Sequence, residues 1–334
     1  MEYRPFGRTG LDVSVIGFGC WEIGGGYGGI EEQEFAAAIG RALDVGINIF
    51  DTAEGYGMGA SEQALARALG RRRDEAIVVT KFGTGYLDKP NYRDSSRARV
   101  FASIDKSLAN LGTDYVDVYF VHWPDYDTPF EETMAALDEV VQSGKARFIG
   151  VSNFSVDDIA TCARTRPVDA AQYVYNLFDR RMERTVLPYC DEHQIGYMAY
   201  GSLAYGLLTG TLTTDTVFPD DDWRSKTDKW GAMAPLFTEL FGPGAIPRNV
   251  GAVEDLRGIA TKYGKSLPQL ALRWTTSNPV VSTSLVGCRN VAEVDDNVGA
   301  LGWSIDPVDL AEIDAAFARH GVNTCLDGWI EARG

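Results

Sequence analysis

The stretch RARVFASIDKSLANLGTDYVDVYFVHWPDYDTPFEETMAALDEVVQSGKARFIGVS, residues 97–152, decides the fold class. Arg97–Leu111 puts Val100, Ile104, Leu108 and Leu111 on one stripe, the spacing of an amphipathic helix. Tyr115–Val121 follows as a short apolar strand. Phe130–Val141 repeats the helical spacing through Phe130, Met134, Leu137 and Val141, and Ala146–Val151 is the next strand. Strands that alternate with helices of this length pair in parallel, because each helix carries the chain back to the same sheet edge.

The alternation continues on both sides. Upstream lie a strand at Val13–Phe18, a helix at Glu31–Leu43, a strand at Ile47–Phe50, a helix at Ser61–Leu69 and a strand at Ile77–Thr80. Downstream, Ser155–Arg164 is a helix capped by Ser155 with an acidic first turn. Then come strand Ala170–Val174, a helix around Glu183–His193, strand Gly196–Tyr200, helices near Val253–Tyr263 and Ser266–Ser277, strand Thr283–Val286 and a helix near Val291–Leu301. Eight strand–helix units between residues 13 and 301 are what a closed (β/α)8 TIM barrel of about 250 residues or more requires. The competitor is a doubly wound open sheet. Its dinucleotide fingerprint begins at Gly17–Gly19 but breaks at Glu22, where the third glycine belongs. Met1–Asp12 reads as an N-terminal hairpin turning at Gly7–Gly10, and Thr209–Gly251 as a long irregular loop insertion at the C-terminal face. The tail after Arg319, with Trp329, is expected to reach back over the site. No linker or repeat divides residues 1–334, so the chain is read as one barrel domain.

The 334 residues are 45% hydrophobic and 23% charged, an ordinary globular balance. Lys and Arg number 31 and Asp and Glu 47, a net charge of −16. Such a surface repels phosphate backbones and anionic lipid, so nucleic acid and membrane partners are disfavoured. No secretory leader is visible in the first residues, and no run approaches the roughly 18 apolar residues of a membrane span. Five scattered cysteines without a CxxC pair are expected as free thiols in a reducing cytoplasm. Three histidines without metal-binding spacing argue against a bound metal.

Barrel catalysis sits at the C-terminal ends of the strands. Those ends carry Asp51 and, just beyond it, Tyr56; then Lys81, His122, Ser152–Asn153, Gln172 and Tyr200. A phenol is a weak acid at pH 7, and a nearby ammonium such as Lys81 is expected to lower its pKa. Asp51 would keep Lys81 charged, and a neutral His122 could orient a carbonyl oxygen. The set suits a general acid for carbonyl reduction. Each residue also has a plain structural reading: Asp51 and Lys81 as a buried ion pair, His122 as a core histidine, Tyr56 as cover for a glycine turn. Gly287–Asn297 follows the last strand and opens a helix beside Arg289, an anion-binding arrangement that is also an ordinary helix start. Gly201–Gly210 could wrap a diphosphate with backbone N–H groups, or be a plain loop.

In combination these motifs resemble the aldo-keto reductase family, in its bacterial and potassium-channel β-subunit-like branch. They are DTAEGYGMGASE at 51–62, TKFG at 80–83, LANLGTDYVDVYFVHWPD at 108–125, GKARFIGVSNF at 144–154, QYVYN at 172–176, GLLTG at 206–210 and GxR…N at 287–297. The resemblance runs from about Tyr3 to Ala300 and implies a (β/α)8 barrel that binds NADP(H) without a Rossmann domain. It implies Tyr56 as general acid/base, tuned by Asp51, Lys81 and His122. It places Ser152, Asn153 and Gln172 on the nicotinamide carboxamide and Tyr200 under the ring. It places Gly201, Ser202, Leu203, Gly206, Leu208 and Gly210 over the diphosphate, Arg289 at the 2′-phosphate and Asp296 and Asn297 at the adenine, with Gly287 also on the cofactor. Trp21 and Trp123 would line the substrate pocket.

Three positions depart from the pattern: Gly201-Ser202 in place of Ser-Pro, Leu285-Val286 in place of Ile-Pro, and Glu293 where some NADP-preferring members carry a base. Glu293 opposes a 2′-phosphate and Arg289 favours it. The balance favours NADP(H), with NAD(H) kept open. The expected activity is reversible reduction of an aldehyde or ketone by hydride from the dinucleotide. Beside it stand a cofactor-bound regulatory subunit like a channel β subunit, an NAD-linked sugar or alcohol dehydrogenase, and a barrel lyase using Lys81 as a Schiff base. The long insertion, with Trp21, Tyr27, Tyr86, Trp123, Trp223 and Trp230, suggests a bulky or sugar substrate.

Overall fold

Every residue of Val116–Val121 is buried, as required of a strand covered on both faces. In the computed structural model, which describes residues 1–24, 31–84, 92–220 and 222–326, this strand is one of ten. Strands β1 (Tyr3–Pro5) and β2 (Asp12–Ser14) form the N-terminal antiparallel hairpin. Strands β3 (Ile16–Gly19), β4 (Ile49–Asp51), β5 (Ile77–Phe82), β6 (Val116–Val121), β7 (Ala146–Ser152), β8 (Ala170–Val174), β9 (Gly196–Tyr200) and β10 (Val281–Gly287) form the barrel. They pair in sequence order and all in parallel, and β10 closes on β3 with Gly287 opposite Gly19. The expected (β/α)8 barrel and hairpin are both present.

The barrel interior is packed by Phe6, Val13, Ile49, Val79, Val118, Phe120, Ala170, Met198 and Leu285. Phe6, from the hairpin, plugs the end opposite the strand C-termini. Its ring lies against Gly196 and that of Phe120 against Gly150, where any Cβ would overlap the ring. Arg4 locks the hairpin in place by donating to the carbonyls of Thr276, Asn278 and Val281.

Outside the strands lie α1 (Glu32–Asp44), α2 (Ala60–Leu69), α3 (Arg97–Leu111), α4 (Phe130–Gln142), α5 (Val156–Ala163), α6 (Val186–Glu192), α7 (Ala234–Phe241), α8 (Ala245–Lys262), α9 (Leu267–Ser277), α10 (Val291–Val298) and α11 (Pro307–Arg319). Helix α5 starts as its sequence indicates: Ser155 Oγ accepts from the Asp158 N–H, and the Asp158 carboxylate accepts from the Ser155 N–H. Ser266 and Gln269 repeat that capping box at α9. Among the described residues no helix is long and apolar enough to cross a membrane.

The structure corrects the reading of residues 209–251. Residues 211–220 are irregular as expected, but the rest is not: a 3₁₀ turn at Trp223–Lys229 leads to α7, and α8 begins at Ala245, well before Val253. Pro247 lies in the first turn of α8, where the missing N–H has no helical acceptor in any case. The Asn249 amide donates to the carbonyls of Glu239 and Leu240 and so caps α7. Trp223, only 7% exposed, packs against Trp21, Tyr205, Trp230, Phe237 and Phe241. Trp223→Ala is therefore expected to weaken this unit by about 3–5 kcal/mol. Limited proteolysis would show the change as faster cleavage between Thr211 and Gly244; cleavage at the wild-type rate would contradict this packing. Helix α11 was not anticipated. Asp306-Pro307 is a good helix start, and the helix packs on α8.

Candidate active site

The strand C-termini bring Asp51, Lys81, His122 and the nearby Tyr56 together. Asp51 ends β4, Lys81 lies at the end of β5, and His122 follows β6. Tyr56 opens a 3₁₀ turn in which Gly57 and Met58 both have φ near +60°, a conformation glycine adopts freely. The fully buried Lys81 ammonium donates to Asp51 Oδ2 at 2.6 Å, to the Thr52 carbonyl at 2.9 Å and to the Tyr56 hydroxyl at 3.4 Å. The Tyr56 and His122 rings meet edge to face at 5.7 Å. Buried His122 Nδ1 has no hydrogen-bond partner among the described residues.

A hydrogen-bonded chain extends this centre across three more strands. Gln172 Nε2 donates to Asp51 Oδ1 at 2.8 Å. Ser152 Oγ donates to the Gln172 carbonyl at 2.8 Å. Asn153 Nδ2 reaches Ser152 Oγ at 3.0 Å and the His122 carbonyl at 3.2 Å, while its Oδ1 accepts from the Tyr200 hydroxyl at 2.9 Å. Asn153 has φ +65°, which its short polar side chain tolerates.

Burial sets the proton affinities here. It pushes the Asp51 carboxyl up and the Lys81 ammonium down, and their mutual contact opposes both shifts. It pushes the His122 imidazole well down, with Lys81 and Arg93 adding to the effect. The ring is therefore neutral at pH 7. For Tyr56 the expected direction is corrected. Burial, reinforced by Asp51, Glu22 and Cys20, pushes the phenol well up. The Lys81 ammonium is closest to Asp51 and Thr52, which leaves its 3.4 Å contact with the phenol too weak to reverse this.

Next to this centre, Gly201–Gly210 forms a tight loop with positive φ at Gly201, Ala204, Tyr205, Gly206 and Gly210. Ser202 is buried and its Oγ accepts from Ser284 Oγ at 2.8 Å. The Asn176 amide holds the Gly201 carbonyl at 2.9 Å. Leu203 and Leu208 pack into the core beneath it. Across the mouth, Arg289 is clamped by Glu293, Nη2 to Oε1 at 2.7 Å and backbone N–H to Oε2 at 2.8 Å. Asp296 is turned toward α9, accepting from Ser266 and Gln269, and Asn297 is buried with its amide on Cys288 Sγ. Sequence reasoning placed these last two at a ligand; in the structure their side chains are engaged within the protein.

At the rim, Trp21 meets Tyr205 and Trp223, and the Arg93 guanidinium lies over Trp123 at 5.2 Å. Sequence reasoning missed Arg93, Tyr205 and Glu22 as neighbours of the centre. Glu22 stood only as a broken glycine pattern, Tyr205 only as a member of the Gly201–Gly210 stretch, and no motif marked Arg93. Tyr27, Tyr86 and Trp329 lie outside the described residues. Among the described residues no cluster of His, Cys, Asp and Glu is placed to hold a metal ion.

Comparisons with known proteins give the family and agree with the fold. The sequence model of the Aldo/keto reductase family matches residues 15–318, and the chain belongs to that family, whose members are oxidoreductases that interconvert carbonyls and alcohols with nicotinamide cofactors. The chain is 38% identical to the aldo-keto reductase YhdN of Bacillus subtilis (strain 168) over 318 residues, 94% of this chain and 93% of that one. It is 32% identical to an NADH-specific methylglyoxal reductase of Escherichia coli (strain K12), covering 96% of this chain and 98% of the relative. The solved structure of a glycerol dehydrogenase from Gluconobacter oxydans superposes with a TM-score of 0.84 at 34% identity, covering 96% of both chains.

Proposed function

We propose that this chain, one barrel domain, reduces a carbonyl to an alcohol and runs the reverse reaction with a nicotinamide dinucleotide, Tyr56 serving as general acid/base. The observation that carries this is the Asp51–Lys81–Tyr56 contact set beside an imidazole nitrogen with no partner among the described residues. The residues present fit the dinucleotide: the partly buried Tyr200 at the end of β9, carboxamide and hydroxyl groups at the ends of β7 and β8, a glycine loop and an arginine at a helix start. Ser152, Asn153 and Gln172 would hold its carboxamide and Tyr200 its ring. The loop bearing Gly201, Ser202, Leu203, Gly206, Leu208 and Gly210 would cover its diphosphate, and the Gly287–Asn297 segment would meet the adenosine end. When bound, the dinucleotide donates or accepts the hydride.

The protein's own groups then manage the proton. The raised Tyr56 phenol keeps its proton at pH 7, and a developing alkoxide is basic enough to take it. The remaining phenolate lies beside the Lys81 ammonium, which stabilises it electrostatically. Asp51 keeps that ammonium charged and in place. Neutral His122 is positioned to donate to the carbonyl oxygen. Lyase chemistry at Lys81 is disfavoured, because a Schiff base there would break the bonds to both Asp51 and Thr52 in a fully buried site.

The insertion's aromatic side chains pack largely on one another, leaving Trp21 and Trp123 at the rim. This favours a short aldehyde or polyol over the bulky substrate suggested by sequence, in line with relatives named for methylglyoxal and glycerol. The test is consumption of reduced nicotinamide with equimolar alcohol formed, comparing small aliphatic and bulky aryl aldehydes. Higher kcat/KM for the small class is expected; no turnover of either class would oppose the enzyme reading and support a regulatory subunit.

For the cofactor we favour NADP(H). The Arg289–Glu293 pair is exposed and so contributes little by itself; a phosphate dianion can displace the carboxylate. Arg289→Ala is expected to weaken NADPH by about ten- to a hundredfold and to leave NADH nearly unchanged. Equal weakening of both would remove Arg289 from the 2′-phosphate.

A further inference from the structure

Glu22 opens the 3₁₀ turn Glu22–Gly24 just after β3. Since β3 pairs with β10, this turn stands over the end of β10 at Gly287. The Glu22 carboxyl lies on Gly287 so closely that any Cβ there would overlap Oε1 and the carboxyl carbon. A side chain at position 287 would have to push the flexible Glu22 carboxyl aside. That carboxyl lies against the start of the Gly287–Asn297 segment assigned above to the adenosine end of a dinucleotide, next to the diphosphate, and it is close enough to Tyr56 and Arg289 to interact electrostatically with both.

The groups that face it are few. Cys20 lies on its own segment, the Tyr56 phenol follows β4, and Cys288, Arg289 and Glu293 come from the end of β10 and the start of α10. On α2, Ser61 donates to the Cys20 carbonyl, and Glu62 is engaged by Thr80 and Asn110. The nearest cation, Arg289, is held by Glu293, and among the described residues no cation forms an ion pair with Glu22. Removal from water pushes the Glu22 carboxyl up to about 7, although its own backbone N–H and Arg289 oppose the rise and Glu293 adds to it. The group changes charge across the neutral range, inside a cleft meant for an anion.

We propose that Glu22 is a proton-linked determinant of dinucleotide affinity: as the neutral acid it admits the phosphates to the Gly287–Arg289 end of the cleft, and as the carboxylate it repels them. This rests on the nicotinamide reading. The sign follows from linkage. An anion bound beside Glu22 raises its proton affinity further, so binding takes up a proton and affinity falls as pH rises through 7.

NADH is the probe, because its diphosphate does not titrate near neutrality, whereas a 2′-phosphate titrates near about 6. Binding is read by tryptophan fluorescence from pH 6 to pH 8. For the wild type, Kd is expected to rise about five- to tenfold over that range. For Glu22→Gln, Kd should stay flat and match the wild-type value at pH 6. Calorimetry on the wild type alone, in two buffers of different ionisation enthalpy, should show uptake of about half a proton per NADH at pH 7, so the test does not depend on the variant folding. A pH-independent wild-type Kd, or binding without proton uptake, would overturn the role of Glu22 while leaving the cofactor reading intact. Failure to bind either NADH or NADPH at any pH would overturn both.

Discussion

Tyr56→Phe is expected to lower kcat by about 10²–10⁴-fold while leaving dinucleotide affinity nearly unchanged. Phenylalanine keeps the ring that meets His122 edge to face and removes only the hydroxyl. That hydroxyl contacts Lys81 at 3.4 Å; the side chains proposed to hold the dinucleotide take their hydrogen bonds from other groups. The variant therefore loses the proton donor and keeps the cleft. Stopped-flow turnover and fluorescence titration on the same preparation separate the two effects. A parallel fall in rate and affinity would mean that Tyr56 shapes the binding site rather than delivering a proton.

The second large effect is on stability. Asp51 is 4% exposed and Lys81 0%, so Asp51→Asn leaves an ammonium buried with no carboxylate beside it. Breaking such a pair from one side costs about 3–5 kcal/mol, to be read as a shift in the urea midpoint. The pH dependence has a definite sign. Burial already holds the Lys81 pKa down, and without Asp51 it drops further, so the folded variant binds fewer protons than the unfolded chain. Its stability should thus rise with pH from the folded-state pKa toward that of a free lysine. Asp51→Asn combined with Lys81→Met should recover part of the loss. A loss below about 1 kcal/mol, typical of solvent-screened pairs, would contradict the buried character of this contact.

Much of the barrel was legible because each element carries a local signal. Val100, Ile104 and Leu111 mark the buried stripe of α3, and Ser155 with Asp158 marks the start of α5. The insertion was misread because Gly242, Pro243, Gly244 and Pro247 look like a loop, whereas Gly244 with φ +79° precedes α8 and Pro247 fits its first turn. What holds that unit in place is the contact between Trp223 and Trp21, a pairing no local pattern encodes. The same divide runs through the site. The meeting of Asp51, Lys81 and His122 was legible from their places at successive strand ends. The direction of the Tyr56 shift was not, because burial is a property of the closed barrel. Glu22 was invisible for a related reason: its neighbour Gly287 becomes adjacent only when the last strand closes on the first.

Titration of the folded protein with NADPH and NADH decides whether this cleft binds a nicotinamide dinucleotide. Trp21 lies at the rim, so binding should quench tryptophan fluorescence saturably, and at lower concentration for NADPH than for NADH. Binding of neither dinucleotide, in protein shown to be folded by its circular dichroism, would contradict the account.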